Sequence, residues 1–577
     1  MGSISGRAGW GCSIVLAACT AAGGSEGSDG SFGTGEPTPP GSESTADGGS
    51  SEGGSTTSPG CACEPGAIGG CDGDDVLVCA EDCSDWQPQS CAPFGTCVDG
   101  ACMGVACQPG ETVCSDDGAV LTCADDGAGF GPPSPCGPAE GCLAGACQTL
   151  CELATAAPSS VGCSFLALKM DNYYAGVADA LVVGNPSEAL TATVQLYESP
   201  GGIETPVGAM VMLAPGEVVQ LELDGEEFDA ESALRTGGSF RVESDIPVVA
   251  YQHSPIGGQA TNDASMLLPE HALAQEHVIA SYPGSYYAGH LSYFDVIATV
   301  DGTTVTWVSP VATLAGDGVA AVPAGGMGMV TLDRHDTLQV AAAFGVDVSG
   351  TIVVADHPVW VMGASACPSV PVGANTCDHI EEQMLPITYW GQTYVAAHAP
   401  TRGSEDYHWR IFAGEDGVQI TTTPDQTGGP VVVDRGQWVE LITTESFVIE
   451  ADGPVLPVQY LESQNQGAGT GDPAMIQLVP AEQFLDRYAF ATGTDYDVHY
   501  VQVTRPIGGP AVRVDGTMVE GFSAVGAGYE VADWEIGEGS HVAESDGPFG
   551  IVSVGYTTIT SYGYPGGMRL MALNPEG

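Results

Sequence analysis

The fold can be read from residues 353–386, VVADHPVWVMGASACPSVPVGANTCDHIEEQMLP, because versions of this stretch occur four times in the C-terminal two-thirds of the chain. Each version holds an Asp-x-Pro triplet between two short apolar runs, followed by a Met-containing apolar cluster that ends in proline. The triplets begin at Asp245, Asp356, Asp452 and Asp546, and the clusters occupy residues 266–269, 384–386, 475–480 and 568–575. Because the order and spacing of both markers recur, the sequence predicts four tandem repeats of about 100 residues.

The residues around each triplet predict β-structure. Aspartate ends one strand, proline fixes a tight turn, and another strand begins at once. From residue 163 to 577 the chain consists of short β-branched or alternating runs separated by Gly, Asp and Pro, without long amphipathic helical patterns. The prediction is an all-β region of four packed β-sandwich units. The alternative is a β-propeller in which each repeat supplies two four-stranded blades.

The N-terminus has the features of an export signal. Arg7 precedes an apolar run of about ten residues, which is too short to span a bilayer as a helix. The run ends in Leu16-Ala17-Ala18-Cys19, which matches the lipobox of bacterial lipoproteins. We therefore predict a signal peptide over residues 1–19 and a lipid on Cys19. Thr20 is typical of lipoproteins sent to the outer membrane, with the protein surface-exposed or facing the periplasm.

Residues 20–60 consist mainly of Gly, Ser, Thr, Glu and Pro. A segment of this composition cannot bury enough apolar surface to offset its ordering entropy, so we predict a disordered tether.

Residues 61–162 form a cysteine-rich module that repeats one six-cysteine pattern twice. Two units of this size need cross-links, and export supplies an oxidising compartment, but six cysteines allow fifteen connectivities. Cys61 and Cys83 are candidates for an additional bridge, and Cys151 and Cys163 for one that joins the module to the next domain. The module has no histidine and no regular C-x2-C pairs, which argues against zinc.

Aspartates in both cysteine repeats leave calcium as an open alternative. They are Asp72, Asp74 and Asp75 in the first repeat and Asp116, Asp117, Asp125 and Asp126 in the second. Neither run matches the spaced calcium-loop pattern, so solvated turns between disulfides are favoured over a structural Ca²⁺. No other cofactor is expected.

One dense polar cluster lies in the third quarter of the chain: Asp378, His379, Glu381 and Glu382. As a metal or hydrolytic site it would need an open coordination position and supporting partners. The alternative is a structural loop held by a disulfide between Cys367 and Cys377, with acidic side chains capping backbone amides. The structural interpretation is favoured, so no catalytic residue is assigned.

The charge limits the partners. With 73 acidic and 12 basic residues the net charge is −61, so the chain repels phosphate backbones and nucleic-acid binding is excluded. Basic proteins, divalent cations and neutral glycans remain open as ligands.

Several separated motifs resemble one known family. They are Cys163-Ser164-Phe165-Leu166, the segment from Pro247 to Gln252 leading to Asn262–Pro269, Cys377–Gln383, and Ser561–Gly567. These look like the N-terminal domain family of IgG Fc-binding protein, which is also found in surface lipoproteins of predatory, multicellular Gram-negative bacteria. The resemblance covers residues 163–577 and implies a binding domain without assigned catalytic residues.

The resulting prediction is a non-enzymatic, lipid-anchored platform for binding or adhesion to an extracellular protein or glycan. Two alternatives stay open. One is a hydrolase of an extracellular polymer with the cluster at residues 378–382 as its site, and the other is a passive structural protein of the envelope.

Overall fold

The structure is a computed structural model that describes residues 67–72, 75–80, 82, 84–90, 96–98, 101–103, 107–174, 177–228, 231–257, 261–285 and 289–575. Cys19, residues 20–60, Cys61 and Cys83 lie outside the described residues, and what the sequence predicts for them stays a prediction. The chain divides into two compact units, Met1–Gln148 and Thr149–Gly577. Within the described residues, no helix is long and apolar enough to cross a membrane.

The described part of the first unit consists of short antiparallel strands. They are β1 (Ile68–Asp72), β2 (Asp75–Cys79), β3 (Trp86–Ser90), β4 (Thr96–Val98), β5 (Ala101–Met103), β6 (Thr112–Cys114), β7 (Val120–Thr122), β8 (Glu140–Leu143) and β9 (Ala146–Thr149). In the second cysteine repeat the disulfides are Cys107–Cys123, Cys114–Cys142 and Cys136–Cys147. The middle bond joins the β6–β7 hairpin to the β8–β9 hairpin. Cross-links thus hold a segment whose core is small.

The second unit opens with its α-helix, α1 (Leu150–Ala156). Thr149 and Glu152 form a capping box: the Thr149 side chain accepts a hydrogen bond from the Glu152 amide, and the Glu152 carboxylate accepts one from the Thr149 amide. A disulfide between Cys151 and Cys163 then ties the helix to the first strand of the β-region. The helix therefore belongs to the β-unit rather than to the cysteine-rich module.

Four successive strand groups build the rest of the second unit. The first group is β10 (Gly162–Ala167), β11 (Asp179–Gly184), β12 (Ala192–Pro200), β13 (Thr205–Leu213), β14 (Val218–Leu223), β15 (Ala233–Ser254) and β16 (Asp263–Met266). The second is β17 (Ala274–Val278), β18 (Ser292–Ala298), β19 (Thr303–Val308), β20 (Met327–Leu332), β21 (Asp336–Ala341), β22 (Ile352–Ser365) and β23 (Ile380–Gln383).

The third and fourth groups follow the same order. The third is β24 (Gly391–Ala396), β25 (Tyr407–Ala413), β26 (Val418–Thr423), β27 (Val431–Val433), β28 (Trp438–Thr443), β29 (Phe447–Tyr460) and β30 (Met475–Gln477). The fourth is β31 (Leu485–Ala491), β32 (Val498–Pro506), β33 (Arg513–Val514), β34 (Thr517–Met518), β35 (Ser523–Val525), β36 (Tyr529–Ile536), β37 (Ser540–Tyr556) and β38 (Ser561–Pro565). Short 3-10 helices occupy Glu270–Ala272, Ile387–Tyr389, Gln464–Gln466 and Ala481–Gln483. The predicted all-β class is confirmed.

The Asp-x-Pro triplets do not separate two strands, and that prediction is wrong. Each triplet lies inside one long strand, β15, β22, β29 or β37, where the pairing register shifts. In β22, for example, Val354 pairs with Glu276 but Val359 already pairs with Ala274. Proline has no backbone N–H to donate, so a bulge is one of the few places where a sheet accepts it. The triplet therefore bends the strand instead of ending it.

Each bent strand belongs to two sheet layers. The half before the triplet pairs with a hairpin, as β22 does with β19, and the half after it pairs with β18 and β23. This is the geometry of a sandwich whose corner strand changes layers at a bulge. Pairing of β15 with β21 joins the first two groups into one 14-stranded sheet. The predicted count of four separate units therefore stays a prediction.

The aspartate of the triplet fixes the corner in three groups. The Oδ1 atoms of Asp245, Asp356 and Asp452 accept hydrogen bonds from the backbone N–H groups of Thr193, Thr304 and Gln419, at 2.7, 2.8 and 2.7 Å. Each donor belongs to the hairpin strand beside the bend. The side chain therefore satisfies an amide for which the bulge provides no ladder partner.

The strand groups close into a ring. The four short strands that end the groups lie side by side, with β16 and β30 each contacting both β23 and β38. At the same closure Ser159 bridges Arg569, and the Ser160 amide donates to the Met568 carbonyl. The segment before the first group thus pairs with the segment after the last.

We expect Asp452→Ala to lower the free energy of unfolding by about 1 kcal/mol, because the Gln419 amide loses its acceptor at the corner. Chemical denaturation of the purified protein measures this. Asp546→Ala is the matched control, because Asp546 holds the same position in β37 and no described residue donates a hydrogen bond to it; its cost should stay below about 0.5 kcal/mol. Equal losses in both variants would contradict the corner role of the hydrogen bond.

Candidate functional site

The structure places the cysteines of the predicted disulfides as follows. Cys151 is bonded to Cys163 and Cys367 is bonded to Cys377, with Cα–Cα distances of 5.7 and 5.2 Å. The second bond closes the loop that leads into β23. It therefore positions the polar cluster that follows it in the sequence.

The four residues of that cluster are buried at the centre of the ring. Asp378, His379, Glu381 and Glu382 have no exposed surface. Because side chains alternate along a strand, Glu381 and Glu382 point to opposite sides of β23. His379 Nε2 lies 3.3 Å from Glu381 Oε2, while the Glu382 carboxylate accepts from the Ser265 hydroxyl and the Gln477 amide at 2.7 and 3.0 Å.

The remaining carboxylates of the centre bind backbone and hydroxyl groups of other strand groups. Asp378 Oδ2 accepts from the Thr560 hydroxyl at 2.6 Å. Asp263 Oδ2, from the first group, accepts from the amides of Glu381 and Met475 in the second and third groups, at 3.2 and 2.8 Å. One carboxylate thus holds three strand groups together.

This geometry does not gather a metal site. Among the described residues, no three His, Cys, Asp or Glu side chains are arranged so that they could hold an ion. Where an aspartate considered for calcium forms a hydrogen bond, its partner is nearby in the sequence. Asp126 Oδ1, for example, accepts a hydrogen bond from the Ala128 amide at 3.0 Å. Asp74 lies outside the described residues.

Burial shifts the proton affinities of the centre. It raises the pKa of Glu381 to about 8 and lowers the pKa of His379 to about 4. It also raises the pKa values of Asp263, Asp378 and Glu382 well above the usual range. These groups are enclosed, so the pKa shifts reflect desolvation in a packed centre. The same burial leaves no face of the four side chains on which a substrate could approach.

Tyr407, His408 and Trp409 form a second segment in which aromatic and polar residues are adjacent. All three are buried in β25, which lies between β28 and β29. His408 Nε2 lies 2.9 Å from Glu462 Oε1. This aromatic segment is therefore part of the core and cannot be a contact surface.

Two open clefts of the described residues lie between strand groups instead. A cleft of about 590 Å³ separates the third group from the fourth. Its walls carry the polar side chains of His398, Glu445, Ser446, Gln502 and Asp533. A smaller cleft of about 220 Å³ lies between the first and fourth groups, where His541 Nδ1 is 2.6 Å from Asp515 Oδ2.

One hydrogen bond across the seam and others beside it fix the walls of the larger cleft. Gln502 Nε2, from β32, donates to the His398 carbonyl at 2.7 Å and to Asp533 Oδ1 at 2.9 Å. The His398 amide donates to Ser446 Oγ at 3.1 Å, and its ring stacks on Tyr407 with centroids 4.2 Å apart. The wall residues are therefore held in place before any ligand binds.

The lining of the cleft includes apolar side chains and two carboxyl groups. Val525, which lines the cleft, belongs to a buried apolar cluster with Val395, Ala397 and Val448. Partial burial raises the pKa of Asp533, although the residue still reaches solvent. Glu445 is exposed at the other side. Apolar side chains together with two carboxyl groups suit a ligand that has an aliphatic stem and a cationic end.

Sequence reasoning missed this cleft. Its walls combine residues from β32 and β36 with a loop after β24 and another after β28, and no motif connects them. The only signal in the sequence was the repeat itself, because seams between packed repeats are common places for clefts.

We expect Glu381→Gln to change how stability depends on pH. The folded protein retains a proton on Glu381 up to about pH 8, whereas the unfolded chain releases it near the usual value of 4.5, so this carboxyl group lowers stability as pH rises through that window. Glutamine stays neutral, so the variant should gain more than about 1 kcal/mol relative to the wild type between pH 4.5 and 8.

Denaturant unfolding at a series of pH values measures this difference. Glu222→Gln, at an exposed position of β14, is the control. Its plot of unfolding free energy against pH should run parallel to that of the wild type. Parallel curves for Glu381→Gln as well would show that the centre does not hold this proton.

Comparison with known proteins agrees with the predicted resemblance. The family model described as IgGFc binding protein matches residues 263–555, from β16 to the end of β37. Human IgGFc-binding protein is 24% identical over 413 residues, which are 69% of this chain and 7% of that protein, so the chain spans only a small part of its relative. No solved structure matches the chain. Because the family model covers half of the sequence, the chain belongs to the IgGFc binding protein family.

Proposed function

We propose that this chain is a non-enzymatic binding protein whose ligand is an extracellular protein. The observation that carries the proposal is the cleft between the third and fourth strand groups, which is open and lined by fixed polar side chains. Family membership supports it, because the family and the human relative are both named for binding the Fc part of an immunoglobulin.

The chemistry of the cleft indicates the kind of group it takes. Glu445 lines the cleft from the third group and Asp533 from the fourth, and Val525 and Val531 add apolar lining. A lysine or arginine of the partner would place its aliphatic stem on this apolar lining and its charge near a carboxylate. The net charge of −61 draws basic partners towards the surface and increases their rate of association.

We place the protein at the outer membrane, anchored by a lipid on Cys19 and carried on a tether over residues 20–60. The lipobox and the composition of the tether support this placement. Such an arrangement would present the β-unit to ligands outside the cell or in the periplasm, as adhesion requires.

The hydrolase alternative has no structural observation in its favour. Its four candidate residues, Asp378, His379, Glu381 and Glu382, are enclosed and engaged in contacts between strand groups. A polymer substrate could not reach them without opening the centre of the ring. The passive envelope role likewise accounts for neither cleft.

The test is capture of a partner by the full-length protein, produced with its disulfides, from envelope and extracellular fractions, with purified immunoglobulin as a separate sample. We expect saturable binding of one protein in moderate salt. Asp533→Asn and Glu445→Gln should each weaken it by about 1 kcal/mol, roughly fivefold in Kd, because each removes one charge without changing the shape of the wall.

Glu222→Gln removes an equal charge far from the cleft in sequence and controls for the general effect of acidity. Binding should also weaken as pH falls through the raised pKa of Asp533, because the carboxyl group loses its charge. If neither cleft variant weakens capture, the binding site does not lie in this cleft. If the protein retains only a glycan, the proposal of a protein ligand is wrong.

A further inference from the structure

The four strand groups contain equivalent outer strands that can be compared with one another. In each group the half of the long strand before the Asp-x-Pro triplet pairs with a hairpin, and the second strand of that hairpin is the outer one. These outer strands are β13, β20, β27 and β34, and among the described residues each pairs only with its hairpin partner. Their far sides expose backbone N–H and C=O groups on which another strand could add.

Three of these edges carry the features by which proteins prevent strand addition. In β13, Pro206 removes a donor, Gly208 has a φ of 67°, and the register shifts opposite residues 194–196. The other two are short, with three residues in β27 and two in β34. Proline, bulges and short length are the usual protections of an edge strand.

The remaining edge, β20 of the second group, has none of these protective features. It is six residues long, MGMVTL, and pairs with β19 from Thr303 opposite Leu332 to Val308 opposite Met327 without a register shift. Neither β19 nor β20 contains a charged residue or a proline. The other outer strands are uncharged too, so β20 differs from its equivalents in being both regular in register and six residues long.

The two faces of β20 differ in what they contact. Gly328 lies directly on the indole ring of Trp307, its cross-strand neighbour, and a Cβ at this position would come within 2.1 Å of the ring. On the other face, Met327 and Met329 are 66% and 61% exposed. Flexible, polarisable methionine side chains adapt to different apolar partners.

We propose that β20 binds an extended segment of a partner protein by strand addition, antiparallel or parallel to its free edge. This inference rests on the proposed protein-binding function and names a second surface for it, separate from the cleft. The partner segment carries apolar or β-branched side chains at alternate positions, which contact Met327 and Met329, and is neutral or basic. A second copy of this chain is disfavoured as the occupant, because each copy carries a net charge of −61.

The test uses a defined probe, so that its outcome does not depend on finding the natural partner. The probe is a capped, fluorescently labelled peptide with alternating valine and threonine and one lysine at each end. Its control has the same side chains but N-methyl groups on alternate residues, which remove the donors that a strand needs. We expect the full-length protein to bind the first peptide saturably in fluorescence anisotropy and the methylated peptide at least about tenfold more weakly.

Variants then locate the surface. Met329→Lys and Met327→Lys place a charge on the proposed face and should weaken peptide binding at least about tenfold, because the added strand would desolvate it. Met210→Lys is the matched control, since Met210 is 67% exposed on the protected edge β13, and it should leave binding unchanged. Unchanged melting temperatures verify that all three variants fold.

The outcomes separate this inference from the proposed function. Peptide binding that survives Asp533→Asn but not Met329→Lys supports strand addition at β20, whatever the capture experiment finds at the cleft. No saturable binding by the wild type, or equal binding of the methylated peptide, would overturn the inference. So would a doubled molar mass in light scattering that Met329→Lys abolishes, because the edge would then pair with a second copy.

Discussion

The bend in each long strand is the constraint on which the β-unit depends. A single strand supplies hydrogen-bond partners to two layers, and it can do so only if its register shifts at the corner. Proline tolerates this shift because it has no N–H to leave unsatisfied. In three groups the aspartate side chain accepts a hydrogen bond from the neighbouring backbone amide that the shift leaves without a partner. If the strand ran straight, the two layers would separate and each would expose an apolar face.

Closure of the ring depends on buried carboxyl groups rather than on apolar packing alone. Placing Asp263, Asp378, Glu381 and Glu382 at the centre costs desolvation, and hydrogen bonds to amides, hydroxyls and neighbouring side chains of other strand groups offset part of that cost. Such bonds are directional, so they fix how the groups are arranged around the centre, which apolar contacts would do less strictly. The same contacts enclose the cluster and remove it from chemistry with a ligand.

A fixed centre leaves recognition to the periphery, where the strand groups are free to differ. The larger cleft exists because the third and fourth groups meet along a seam that their side chains do not fill, while the β20 edge exists because one of four equivalent hairpins lacks the features that protect the others. Both surfaces depend on departures from the repeat. A binding family can therefore keep one architecture and change its ligands through the seams and outer strands.

The all-β class and the recurrence of one unit are visible in the sequence alone, because the alternation of apolar residues and the placement of turn residues are local properties of the chain. It also identified the Asp-x-Pro triplets, but not their role, since a turn and a corner bulge use the same residues and differ only in what lies beside them. For the same reason Asp378, His379, Glu381 and Glu382 looked like a polar site in sequence. The tertiary structure was needed to show that they are enclosed by other strand groups, that His398 meets Gln502 across a seam, and that β20 is left with a free edge. Burial, seams and edges depend on which distant segments pack together, and no local pattern specifies that.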